Sequence, residues 1–105
     1  MPNYPFDGAN YQALLPLWTN APVQVTITGT TARSTQLPLG WYLIRSTTNV
    51  HIKQGNVTSD ADTNDFILGA GTVYPMQVTN ITDNGYLSGI RVSANGTLQI
   101  QSTAG

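Results

Sequence analysis

From Val23 onward the chain alternates apolar and polar residues in short runs, each ended by Gly, Pro, Asn, Ser or Thr. Val23, Val25 and Ile27 share one face of the first run, with Gln24, Thr26 and Thr28 on the other. Such period-two alternation predicts a half-buried β-strand. The most apolar run is Leu37-Pro-Leu-Gly-Trp-Tyr-Leu-Ile-Arg45. Pro38 has no amide proton and Gly40 tolerates positive φ, so a turn should precede Trp41. Residues 41–46 then read as a strand buried on both faces, the centre of the fold.

The other elements follow in order. Residues 29–36 read as a polar loop. Residues 47–49 read as a hairpin turn into a strand ending at Lys53, with Val50 and Ile52 on the core face and His51 and Lys53 opposite. Residues 54–65 are the longest polar stretch and read as a surface loop. A short strand at 66–68 and a tight turn at 69–71 come next. The strand at 72–79 places Tyr74, Met76 and Val78 on one face, and Pro75 marks a sheet edge or bulge. Asn-Gly pairs at Asn84-Gly85 and Asn95-Gly96 predict two hairpin turns. Between them, 86–92 should be a strand with Ile90 and Val92 inward and a bulge at Gly89. The last strand, 97–101, points Leu98 and Ile100 inward, and 102–105 form a tail.

Seven or eight strands with turn signals about every 8 to 12 residues, and no helical period, predict an all-β protein. The expected architecture is a single small β-sandwich, jelly-roll-like in its winding. Residues 1–21 differ from the rest. Pro2, Pro5 and Pro16 preclude a long helix, while Tyr4, Phe6, Tyr11, Leu14, Leu15, Leu17 and Trp18 require cover. The chain therefore divides into an extended Pro/aromatic N-terminal arm, 1–21, and a sandwich domain, 22–105. The arm packs either on its own sandwich or on a partner; in the second case those seven residues are the partner-binding set.

Composition narrows the chemistry. With 105 residues and no cysteine, one disulfide-free domain is expected. No signal peptide is expected, and no apolar run approaches the roughly 20 residues of a membrane helix. Lys plus Arg number 4, Asp plus Glu number 5, and the net charge is −1, which leaves no footprint for nucleic acid or an anionic membrane. A surface built from Thr, Ser, Asn and Gln suits a protein packed into an assembly better than one free in solution.

Candidate sites are few. His51 is the one histidine and reads as a surface residue; no Gly-x-Ser-x-Gly occurs. Asp60-Ala-Asp62-Thr-Asn64-Asp65 opens like a calcium loop, but the sixth position is Asp65 where Gly is needed and the twelfth is Gly71 where an acid is needed. The Asn-x-Thr triplets at Asn56, Asn80 and Asn95 read as accidental. Trp41, Tyr42, Trp18 and Tyr11 could stack on a sugar, although core and anchoring roles explain them as well. No catalytic residue, cofactor site or metal site is expected.

The order of the Leu37–Arg45 run, Val50-His-Ile-Lys-Gln-Gly55, Phe66-Ile-Leu-Gly-Ala-Gly71 and Ile90-Arg-Val-Ser-Ala-Asn-Gly-Thr-Leu-Gln-Ile100 resembles small β-sandwich structural proteins of tailed bacteriophages. The resemblance covers residues 36–101 and is one of strands and turns. It implies a virion protein of the capsid cement or decoration type. Such a protein would sit on the capsid exterior as a trimer or dimer, contact the major capsid protein, and be made in the host cytoplasm. It would bind no nucleic acid and no membrane. A head-tail or tail-fibre component, or a small carbohydrate-binding module, are the alternatives.

Overall fold

In a computed structural model, residues 15–17 and 19–105 are described. Eight strands form: β1 (Val23–Ile27), β2 (Ala32–Arg33), β3 (Gly40–Ser46), β4 (Val50–Gly55), β5 (Phe66–Leu68), β6 (Tyr74–Val78), β7 (Tyr86–Arg91) and β8 (Gly96–Ser102). One helical turn, α1 (Ile81–Asn84), lies between β6 and β7. The strands make two antiparallel four-stranded sheets, ordered β1-β8-β3-β6 (the first sheet) and β2-β7-β4-β5 (the second). Every link except β4 to β5 crosses from one sheet to the other. That order is the jelly-roll winding expected of the chain.

The core fills the space between the sheets. Val25, Ile27, Leu98 and Ile100 point inward from β1 and β8, as their alternation requires. Tyr42, Ile44 and Ser46 do so from β3. That strand is buried on one face only: Trp41 and Leu43 are half-buried on the other, and Arg45 is exposed. An apolar run suggests two covered faces, but among the described residues no second layer lies over this one. Gly40 does have positive φ, 141°, and a side chain there would meet the Gly105 carbonyl at 2.7 Å.

Several turns differ from their sequence signals. Residues 47–49 and 92–95 join strands that do not pair, so they are corners between sheets and not hairpins, whereas the tight turn expected at 69–71 forms, the Thr72 amide donating to the Gly69 carbonyl at 3.1 Å. Gly and Asn report that the chain reverses; they do not report which strand receives it. At 83–85 the expected hairpin is α1. The Asn80 side chain accepts from the Thr82 and Asp83 amides and caps it, an option that outcompetes a two-residue turn. The Asn84 carboxamide oxygen accepts from the Thr79 and Asn80 amides and fixes the turn from its other end.

The register of β7 is shifted by one residue from expectation. Leu87 and Gly89 face the core, while Ile90 is half-buried on the outer face and Val92 lies exposed beyond the strand. Gly89 is no bulge, for it pairs regularly with Ala32 and Ile52. A methyl group there would lie 2.8 Å from Ile27 Cδ1 and 3.0 Å from Val50 Cγ2. The missing side chain is what lets β1 and β4 meet over β7.

His51 is on the outer face of the second sheet, yet it is buried. The 56–65 loop folds back over that face instead of standing in solvent. Nδ1–H donates to the Asp65 carbonyl at 3.0 Å. The Ala61 amide donates to the buried Ser88 hydroxyl, which donates on to the Lys53 carbonyl. Arg33 ties Asp60 down at 2.8 Å. The predicted polar loop at 29–36 also contributes β2, and the expected tail is ordered: Thr103 bridges to Pro16, and the Trp41 amide donates to the Gly105 carbonyl.

Tyr42 gives the fold a pH dependence. Burial pushes its phenol pKa above the usual value of 10.0. Its hydroxyl also donates to the Pro38 carbonyl at 2.6 Å. A folded pKa raised above the unfolded one adds stability below the unfolded pKa that is lost as pH rises through the folded value. The urea midpoint should therefore fall as pH rises above about 10, and Tyr42→Phe should flatten that fall. An equal alkaline slope in the variant would assign the loss to other groups.

Candidate functional site

The two sheets do not close along one side. There β5 ends the second sheet and β6 ends the first, and an uncharged groove of about 420 Å³ opens between them. Its floor is Ile44, Ile52, Met76 and Leu87. Phe66 and Tyr74 stand at its mouth, ring centroids 5.7 Å apart and inclined at 49°.

Register explains why this is unusual. Phe66 pairs with Ile52 and alternates with buried Leu68; Tyr74 pairs with Ile44 and alternates with buried Met76. Both rings thus point toward the interior, yet they are 58% and 47% exposed. Among the described residues they are core-facing residues with no cover, because no described strand lies outside β5 or β6. Ile67 and Val73, also exposed, extend the apolar edge.

Polar contacts shape the groove without charging it. Gln54 reaches from β4 to the first sheet and donates to the Gln77 and Asn84 carbonyls at 2.7 and 2.8 Å, strapping the sheets together at one end. Pro75, in the edge strand where a proline is tolerated, cannot donate to an added strand. The geometry favours insertion of side chains into the groove over pairing along β6.

The expected partner-binding residues divide into two groups. Tyr4, Phe6, Tyr11, Leu14 and Trp18 lie outside the described residues. Leu15 and Leu17 are 42% and 38% exposed, but their backbones are fixed beside β8: the Ala104 amide donates to the Leu15 carbonyl, and the Leu17 amide to the Ser102 carbonyl. Gln101 adds bonds to the Leu17 and Asn20 carbonyls. Among the described residues, the hydrogen bonding of the first sheet therefore begins at Leu15.

The other candidates are dispersed or engaged. Trp41 and Tyr42 are on opposite faces of β3, so they do not form one stacking platform. The loop acids are used locally: Asp65 accepts from the Asp62 amide, Asp62 from the Asn64 amide, and Asp60 pairs with Arg33. Among the described residues no three His, Asp or Glu side chains gather into a possible metal site, and no helix is long and apolar enough to cross a membrane.

Sequence reading missed the groove. Alternation assigned Tyr74 to the core face, and the register agrees. What no local pattern carries is that β5 and β6 end on the same side of the sandwich. Compared with family models, curated proteins and solved structures, the chain matches none.

Proposed function

We propose that this chain is a structural virion protein of a tailed bacteriophage, most directly a capsid cement or decoration protein. The observation that carries the reading is an uncharged, open apolar edge on a jelly roll that is poor in charge everywhere else. A free monomer rarely leaves such an edge bare, and exposed apolar patches mark interaction surfaces. The phage-like order of strands and turns from residue 36 to 101 and the aromatic N-terminal arm agree with it. In this role the sandwich is a rigid spacer and performs no catalysis. Its partners are the major capsid protein on the shell exterior and sister copies in a trimer or dimer. Weak contacts suffice, because a shell presents many equivalent sites and bound neighbours raise one another's effective concentration.

Purified virions test this directly. The protein should copurify with them at a copy number comparable with that of the major capsid protein. A copy number matching a single ring or a few fibres would move it to the head-tail junction or tail. Absence from washed particles would end the virion reading.

A further inference from the structure

We infer that the free protein pairs with a second copy of itself along β1, antiparallel and about a twofold axis at Val25. The Thr97 amide donates to the Thr47 hydroxyl and the Thr97 carbonyl accepts from the Thr47 amide, so Thr97 turns its backbone toward β3. Backbone groups alternate sides along a strand. Gly96, Leu98 and Ile100 therefore turn theirs toward β1, where they meet Ile27, Val25 and Val23. The residues between, Gln24 and Thr26, direct their amides and carbonyls away from the sheet. β1 ends the first sheet, and none of those groups has a hydrogen-bond partner among the described residues.

An edge of open donors and acceptors is a template for another strand, and proteins that stay single blunt such edges. The other three edges are blunted: β6 carries Pro75, β5 has three residues, and β2 has two, one of them Arg33. β1 is five residues long and regularly paired throughout, and no charged residue occurs from Thr19 to Ala32. An antiparallel edge is also its own complement, so an identical edge matches it at every position. The flanking residues choose the register. Pro22 has no amide to offer, and the Thr28 carbonyl already accepts from the Arg91 amide. An axis at Gln24 would bring Pro22 into the new ladder, and an axis at Thr26 would bring in Thr28. An axis at Val25 avoids both and sets Gln24 of one copy opposite Thr26 of the other, each pair exchanging both backbone bonds. Val25 then lies across from Val25 and Val23 from Ile27, so the apolar inner face runs on from one copy into the next. The inference does not rest on the virion reading; within that reading it makes the sister-copy contact twofold and not threefold.

Sedimentation of the full chain across the micromolar range should give a dimer. Thr26→Pro removes an outward amide and no bond to β8, so the variant should keep its β-sheet circular dichroism and sediment as a monomer. Register is read with cysteine, which the chain lacks. Gln24→Cys and Thr26→Cys chains, coexpressed and purified together, should cross-link under mild oxidation about tenfold faster than either variant alone. Like positions lie two residues out of step, beyond the roughly 7 Å between Cα atoms that a disulfide spans. A monomer, which would leave β1 to a strand of another protein, would overturn the proposal, and so would a trimer. A dimer indifferent to Thr26→Pro would overturn it by placing the contact elsewhere, and equal cross-linking of mixed and single variants would overturn it through the register. Should Thr26→Pro not fold, sedimentation and cross-linking decide without it. Because these assays use free protein, the dimer stands or falls separately from the virion reading.

Discussion

Leu98→Ala is expected to destabilise the fold by about 2–5 kcal/mol, read as a lower urea midpoint at unchanged slope. Leu98 is fully buried in β8, which lies inside the first sheet between β1 and β3 and faces Val25 and Ser46. Removing its branched end deletes apolar contacts and leaves a cavity that neighbours on two strands cannot fill, because each is held by its own ladder. Domains of this kind have about 5–15 kcal/mol in total, so the loss is a large share. A drop below about 1 kcal/mol would mean that the interior around β8 is not tightly packed.

Leu98 was also legible beforehand, and it shows which part of a fold a sequence carries. Alternation in β1, β6 and β8 depends on neighbours one and two residues away, so the buried faces of Val25, Met76 and Ile100 could be read directly. The β7 face could not. Its inward residues are Leu87 and Gly89, and a glycine that faces the core because Ile27 and Val50 need the space leaves no apolar mark. The reading then followed Ile90 and Val92, the apolar residues it could see, and took the opposite face.

Pairing was hidden for another reason. Asn95-Gly96 supports a reversal whether the chain returns beside itself or crosses to the other sheet, and the energy that decides is burial of distant strands. The same holds for the groove. Phe66 and Tyr74 carry core-like patterns, and their exposure comes from the strand order alone. Asn80 is an intermediate case: its cap is local, yet the competing Asn84-Gly85 signal concealed it. His51 reads as exposed because the loop that covers it is tied down by Arg33 and Ser88, residues far away in the chain.

On the proposed capsid role, deleting residues 1–14 should abolish retention on purified particles while the remaining domain keeps its β-sheet circular dichroism. The site of the cut matters. A deletion through residue 20 would remove Pro16 from its bridge to Thr103 and the Leu17 and Asn20 carbonyls from Gln101, damaging the first sheet. Ending at Leu14 leaves those contacts and removes Tyr4, Phe6 and Tyr11. Each such ring buries about 150–250 Å² when covered, and at about 25 cal/mol per Å² even partial cover of three rings contributes a few kcal/mol per copy. Every 1.4 kcal/mol is about tenfold in affinity. On a shell this loss acts at every site at once. Full decoration by the folded, truncated protein would show that the arm is not the attachment. The apolar edge at Phe66, Ile67, Val73 and Tyr74 would then be the surface that holds the shell, and charged substitutions there would be the ones to release it.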